Sequence, residues 1–488
     1  MRANLYQKVQ KQIDLGLNLL LHNKTIIKAK PLHFSHKLLP EEVFEHFAEK
    51  PWAMWLDSCQ SAHIDSRYDI IVWQPEITLI TTGETTVVNY ISEQRKKNTL
   101  EDPLLLLQSV QNAFFKEVEI LTADLPFLSG AVGYFSYDLG RRFEQLPSKA
   151  IKDISIPEMA VGIYSHALVF DKEIQQFSLI ASDDKREEIE KSLFTLVSDK
   201  NLKAALPFQL TQSWQANMTK QQYQEKFEKI QQYLLSGDCY QINLTQRFTA
   251  HYQGDEFCAY KALRKANQAP FSAYIQLEDC SILSISPERF LRVNGNKVQS
   301  KPIKGTKPRS TDKACDIANA VSLKSSEKDK AENLMIVDLL RNDMSKVCVP
   351  GTVKVPMLFE IESFPAVHHL VSTVEGQLEK QFEALDLLRG SFPGGSITGA
   401  PKIRAMEIID ELEPQRRSIY CGSIGYISTC GNMDTSITIR TLICETTNHQ
   451  KTIHCWAGGG IVADSNVEAE YQESFDKVNK ILPILEKL

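Results

Sequence analysis

Two periodicities run through the chain. Tyr68-Asp69-Ile70-Ile71-Val72-Trp73 and Ile77-Thr78-Leu79-Ile80-Thr81 are short runs rich in β-branched and aromatic residues, and predict strands. Gly130-Ala131-Val132-Gly133-Tyr134-Phe135 reads as a strand bounded by glycine, and 166–170 with 176–180 as a hairpin. Leu104, Leu107 and Val110 instead keep helical spacing, and Lys220 to Leu235 reads as a helix stopped near Gly237. Further strands are predicted at 240–248, 273–277 and 281–286. Between Asp434 and Cys444 the alternation is clean, with Ile437, Ile439 and Ile443 on one face and Ser436, Thr438 and Arg440 on the other. Strands and helices mix without strict βαβ order, so the expected class is α+β (mixed α/β) with large, mostly antiparallel sheets.

Composition narrows the function. The 488 residues are 43% hydrophobic and 24% charged, as in globular proteins that bury a large core. A net charge of −6 argues against nucleic acid as partner. Ten cysteines without a Cys-x-x-Cys pair suit a reducing compartment. The apolar run Leu15 to Leu21 is broken by Gly16 and Asn18, so no signal peptide and no membrane span is expected, and the location is cytoplasmic. A charged, then Pro/Gln/Ser-rich stretch separates an N-terminal unit, 1–205, from a C-terminal one, 218–488.

Several residues carry candidate chemistry. Ser465 and Glu468 match a capping box, opening a helix on which Glu470 and Glu473 lie one turn apart. Asp329 and Glu332 form a second acidic pair before the apolar run Leu334 to Leu340. Paired carboxylates on two helices suit a hard divalent cation such as magnesium; two solvated helix faces give the same pattern. Gly458-Gly459-Gly460 falls between a short strand, 454–456, and that capped helix, where backbone N–H groups would cradle an anion. Arg440 reads as a carboxylate fork or a solvent-facing strand residue. His369, with His368, closes an apolar run. Glu288 and Lys304 lie sixteen residues apart about Asn294-Gly295; a hairpin turn there sets them on neighbouring strands, as an acid and nucleophile or as a plain salt bridge. Burial beside Ile303, with Lys301, Lys307 and Arg309 nearby, would favour the neutral amine of Lys304.

Taken together these motifs resemble the chorismate-utilising enzymes. The resemblance is carried by Ser286-Pro287-Glu288-Arg289-Phe290, Pro302-Ile303-Lys304-Gly305-Thr306 and Ala331-Glu332-Asn333-Leu334-Met335-Ile336-Val337-Asp338, and continues in His369-Leu370-Val371-Ser372 and Gly395-Ser396-Ile397-Thr398-Gly399-Ala400-Pro401-Lys402. Cys421 to Tyr426, Ile439-Arg440-Thr441 and Ala457 to Ile461 follow in family order. The match covers about 220–485, and the N-terminal part resembles the regulatory half of anthranilate and aminodeoxychorismate synthases.

The resemblance implies two interwoven subdomains, like those of anthranilate synthase component I, with sheets packed face to face and helices outside. It implies that Lys304, where anthranilate synthases have alanine, attacks C2 of chorismate while Glu288 protonates the departing C4 hydroxyl. Ammonia then takes C4, giving 4-amino-4-deoxychorismate for para-aminobenzoate and folate. His369 would orient or handle protons. Thr398, Tyr426, Arg440, Gly458, Gly459, Gly460 and Lys477 would hold substrate, and Glu332 and Glu473 would hold Mg2+ with Asp329 and Glu470 nearby. No glutaminase nucleophile turn is visible in the chain, so a glutamine amidotransferase subunit is the expected ammonia source. Ser58, Asp65, Ser66, Arg67, Tyr68, Pro270, Phe271 and Ser272 would outline a pocket for L-tryptophan, retained structurally rather than as a regulator because Asp57 replaces the usual glutamate, with an empty remnant pocket as the alternative. The rivals are anthranilate synthase component I, isochorismate or salicylate synthase, and a non-catalytic chorismate-binding homologue.

Overall fold

The protein is seen in a computed structural model that describes residues 25–59, 63–121, 124–198, 206–364 and 367–488. The run Leu15 to Leu21 lies outside them. Among the described residues, two large sheets of fourteen and twelve strands dominate, antiparallel throughout except where Thr25–Leu32 meets Val118–Ile120. Strands from both ends of the chain enter each sheet. In the larger one Phe271–Gln276 pairs with Met54–Asp57, and in the smaller Ser423–Ser428 pairs with Gly130–Phe135.

Period-two alternation decides which side chains meet. Ile282 and Leu283 are neighbours on one strand, yet Ile282 packs between the sheets with Leu79, Val132 and Tyr134, while Leu283 packs outward among Trp55, Phe257, Tyr260 and Leu263. Each such fully buried side chain stabilises by roughly 1.5–3 kcal/mol. The helix Lys220–Leu235 sits where its pattern predicted, closing on the Gly237 turn, and buries Tyr223, Phe227 and Ile230 against Ile242, Leu244 and Ile461. No described helix is long and apolar enough to cross a membrane.

The alternating stretch 434–444 is two strands, not one. Met433–Ile437 belongs to the smaller sheet and Thr441–Thr447 to the larger, with Arg440 between them at φ +51°. The chain makes the same passage between sheets from Cys280–Ser286 to Arg289–Asn294, with Pro287 and Glu288 in the gap. The two passages are stitched together: Ile285 N donates to Arg440 O and Ile437 N donates to Glu288 O, both at 3.0 Å. Glu288 and Arg440 therefore stand where the sheets exchange strands.

Candidate functional site

Glu288 and Lys304 come together as the hairpin register requires. Arg289–Asn294 pairs with Lys297–Ser300 across a turn at Gly295, which carries Ile303 back to Glu288, and the Ile303 N–H bonds the Glu288 carboxylate. Ser396 joins them: its carbonyl accepts Lys304 Nζ at 3.0 Å, and its hydroxyl faces the Glu288 carboxylate. Burial raises the Glu288 carboxyl to about 7 against the pull of Lys304, Ser396, Ile303 and Lys477. Burial likewise lowers the Lys304 ammonium, with Lys477 assisting and Glu332, Glu288 and Glu473 opposing. Both groups are thus drawn toward their neutral forms. The cation beside Lys304 is Lys477, not those flanking it in sequence. Lys301 pairs with Glu362 at 2.6 Å and Asp65 at 3.2 Å, and Arg309 with Asp316 at 2.9 Å.

Gly305 bends the lysine strand. It takes φ +74°, and the pairing of Ile303–Pro308 with Val367–Gln377 shifts register between Lys304 and Thr306. His369 lies near the start of Val367–Gln377 rather than closing an apolar run, with Nδ1 2.9 Å from Thr306 Oγ1. Burial, reinforced by Arg440, drives its imidazole down to about 3, so it is neutral. Arg440 is half-buried without a carboxylate partner among the described residues, and desolvation lowers its guanidinium. A desolvated cation of this kind is a receptor for an anion.

The acidic pairs meet on the other side of Lys304. The helix Glu327–Ser345 brings Asp329 and Glu332, and Val467–Asp476 brings Glu470 and Glu473. The Glu470 and Glu473 carboxylates lie over Gly459, where a β-carbon would be 3.1 Å from both Glu470 Oε2 and Glu473 Oε1, while Asp329 lies against Gly305. Burial, Asp329 and Glu470 raise the Glu332 carboxyl, while Lys304 and Lys328 offset them. Lys328 spans the cluster, 3.9 Å from Glu332 and 3.5 Å from Glu470. Among the described residues no three carboxylate, His or Cys side chains form a ready metal cage. Carboxylates that crowd together and recruit a lysine do fit a cation that keeps waters in its shell.

The cap of Val467–Asp476 is Asn466, which accepts the Glu468 and Ala469 N–H groups, while Ser465 turns its hydroxyl to Glu470 Oε1 at 2.7 Å. Gly458–Gly460 are no loop before a helix but part of the strand Gln450–Ile461, paired with Gln241–Gln253. The neighbouring strand Thr441–Thr447 stops pairing at Cys455, leaving that edge uncovered, and Lys477 Nζ donates to Gly458 O there at 2.8 Å. Thr398 is fully buried with its hydroxyl donating to Gly394 O at 3.0 Å, so it braces its loop rather than offering a free donor.

A second site lies apart. A cavity of about 490 Å³ is lined by Ser58, Asp65, Arg67, Tyr68, Pro270, Phe271 and Ser272, as grouped from the sequence; Ser66, buried, closes a turn onto His63 O. Tyr426 belongs to this wall and not to the Lys304 site. Its strand, Ser423–Ser428, turns the ring against Phe127 and toward Asp434, Arg292 and Arg289. Arg289 Nη1 meets Asp65 at 2.8 Å, and with Lys301 it pulls the Asp65 carboxyl down to about 2 against the cost of burial. Ser396 and Lys328 join the site without a sequence signal of their own: the Ser396 contact to Lys304 is made by a backbone carbonyl, which residue type does not mark.

Residues 53–483 match the family model described as chorismate binding enzyme. Aminodeoxychorismate synthase component 1 of Escherichia coli (strain K12) is 55% identical over 451 residues, 92% of this chain and 96% of that protein. Anthranilate synthase component 1 of Thermus thermophilus is 39% identical over 367 residues, 74% and 78% of the respective chains. Among solved structures, anthranilate synthase component I from Streptococcus pneumoniae TIGR4 superposes with a TM-score of 0.74 at 30% identity, covering 86% of this chain and 93% of that one.

Proposed function

The chain belongs to the chorismate binding enzymes, and we propose that it performs the reaction named for its Escherichia coli relative, the amination of chorismate to 4-amino-4-deoxychorismate on the route to para-aminobenzoate. One observation carries the assignment to this branch: a lysine amine of lowered pKa, bonded to the Ser396 carbonyl, stands beside a carboxyl raised to about 7.

The chemistry follows from that pairing. A proton passing from the Lys304 ammonium to the Glu288 carboxylate yields a free amine and a carboxylic acid, the two forms burial favours. The amine lone pair then forms a bond to C2, the ring double bonds shift, and the C4 oxygen leaves as water with the proton from Glu288. Ammonia bonds C4, the double bonds shift back, and the C2–N bond breaks toward Lys304. Dividing the displacement in two directs the amine to C4. Arg440 offers the unpaired cation for a substrate carboxylate, and neutral His369 stands beside it as an uncharged hydrogen-bonding group. Glu332 and Glu473 would hold Mg2+, which when bound supplies charge neutralisation for a substrate carboxylate.

The printed name of the relative, component 1, supports a second component, and the ammonia source would be a glutamine amidotransferase subunit. Ten free cysteines support a cytoplasmic setting. The cavity walled by Pro270 and Phe271 would accept L-tryptophan. Mass spectrometry of chorismate incubated with the chain, Mg2+ and ammonium tests the reaction. The expected product is 4-amino-4-deoxychorismate; anthranilate, isochorismate or unchanged chorismate would each overturn it. Lys304→Ala should abolish amination, and retention of the same product would remove the lysine from the mechanism.

A further inference from the structure

Ser396 stands between both reacting groups. Its carbonyl accepts Lys304 Nζ at 3.0 Å, and its hydroxyl faces the Glu288 carboxylate, whose ionised form it favours. The loop that carries it is gripped from several directions. Asn243 Nδ2 reaches the same carbonyl at 3.3 Å, and Gln241 Nε2 fixes Asn243 Oδ1 at 3.0 Å. Arg417 ties the next carbonyl, Ile397 O, at 2.8 Å and Asn243 O at 3.0 Å. Arg417 is itself held by Glu413 at 2.7 Å, and Glu413 accepts both the N–H and the hydroxyl of Thr245. So many bonds on a buried turn serve to fix where Ser396 points.

We propose that Ser396 is a positioning residue, holding the Glu288 acid by its side chain and the Lys304 amine by its backbone so that both address one bound substrate in a single geometry. The inference rests on the reading that Lys304 attacks and Glu288 protonates. In that step the N–C2 bond forms from the amine lone pair as the C4–O bond breaks. The oxygen departs as water with the Glu288 proton, leaving a substituted ammonium and a carboxylate whose charges cancel. Lys304 must release the Ser396 carbonyl to bond carbon, and Asn243 keeps that buried acceptor satisfied meanwhile. The arrangement thus lets the lysine leave without stranding the loop.

Steady-state kinetics of Ser396→Ala, Ser396→Thr and Ser396→Cys in the full chain, with ammonium as nitrogen source, test this. Ser396→Ala is expected to lower kcat on the order of 10- to 100-fold, the cost of a misplaced reacting group, with KM within about threefold. Ser396→Thr, which keeps the hydroxyl, is expected to restore kcat to within about threefold of the parent, and Ser396→Cys, a weaker donor of the same shape, to fall between. Melting temperatures should stay level across the series. Either Ser396→Ala with kcat unchanged, or equal losses in the Ala and Thr variants with KM rising in parallel, overturns the proposal. Failure of the parent chain to aminate chorismate would instead condemn the reading beneath it. If Ser396→Ala does not fold, the order Thr above Cys in kcat still decides.

Discussion

Gly305 and Asp329 are packed so closely that a β-carbon at 305 would sit 2.8 Å from the Asp329 carboxyl carbon. The glycine does two things at once: it supplies the positive φ that bends the strand after Lys304, and it lets the acidic helix approach that strand. Gly305→Ala should destabilise the fold by roughly 1–2 kcal/mol from the left-handed backbone alone. It should also lower turnover by more than that stability loss implies, because the carboxylate or the lysine strand must shift. Denaturant melts with kcat at saturating chorismate check this. Unchanged kcat would show that the bend does not aim the lysine.

Glu288 couples activity to stability through pH. Its folded carboxyl, at about 7, lies above the ordinary value of 4.5. Its neutral form therefore favours the fold, and the contribution, of order 3 kcal/mol, is complete below pH 4.5 and lost as pH rises to 7. Glu288→Gln removes the titration while keeping the shape. The variant is expected to lose amination, yet to gain stability relative to the parent as pH climbs from 4.5 toward 7 and above. Thermal melts across pH 4–9 would show the two curves separating in that window; parallel curves would mean that Glu288 is not buried as described.

The sequence exposes those relationships that run along a strand or around a short turn. Glu288 and Lys304 were readable together because one hairpin register connects them. Arg440 was placed on a continuous strand because Ile437, Ile439 and Ile443 keep their parity through the passage between sheets, and side-chain alternation does not record which sheet a residue belongs to. Tyr426 was grouped with the substrate for the same reason: its motif is contiguous, but pairing with Gly130–Phe135 decides its neighbours. Ser465 matched a cap by spacing, and Asn466, an equally good capping residue one step later, took the position. Antiparallel sheets with helices outside were legible from period alone. The Ser396 carbonyl was not, since backbone acceptors have no sequence signature.

Asp65 ties the N-terminal segment to the catalytic one through Arg289 at 2.8 Å and Lys301 at 3.2 Å, all three largely buried. Asp65→Asn weakens a bridge in which Arg289 keeps Asp434 at 2.9 Å and Lys301 keeps Glu362 at 2.6 Å, and should cost roughly 2 kcal/mol at pH 7. The depressed carboxyl, at about 2, contributes stability above pH 3.8 that is lost as pH falls through 2. The gap between parent and variant should therefore be constant from pH 5 upward and close only in strong acid. Urea titrations at pH 7 and pH 2 make the comparison, and a gap absent at pH 7 would refute the bridge.

Lys328 occupies the position a divalent cation would contest. It stands 3.5 Å from Glu470 and 3.9 Å from Glu332, inside a carboxylate cluster that also raises Glu332. Mg2+ entering between Glu332 and Glu473 would meet that ammonium, and a doubly charged cation roughly 4 Å from it in a water-like medium is repelled by about 2 kcal/mol. Lys328→Ala should therefore tighten apparent Mg2+ binding by roughly thirtyfold, whereas Glu332→Gln and Glu473→Gln should abolish it. Magnesium at about a hundred times its dissociation constant should stabilise the parent by roughly 2.7 kcal/mol and leave both Gln variants unmoved. Chelator should remove amination from the parent and restore nothing in the Gln variants. Titration calorimetry on the chain without substrate separates metal binding from catalysis. Weaker binding in Lys328→Ala would mean that the lysine orders the carboxylates instead of competing for them.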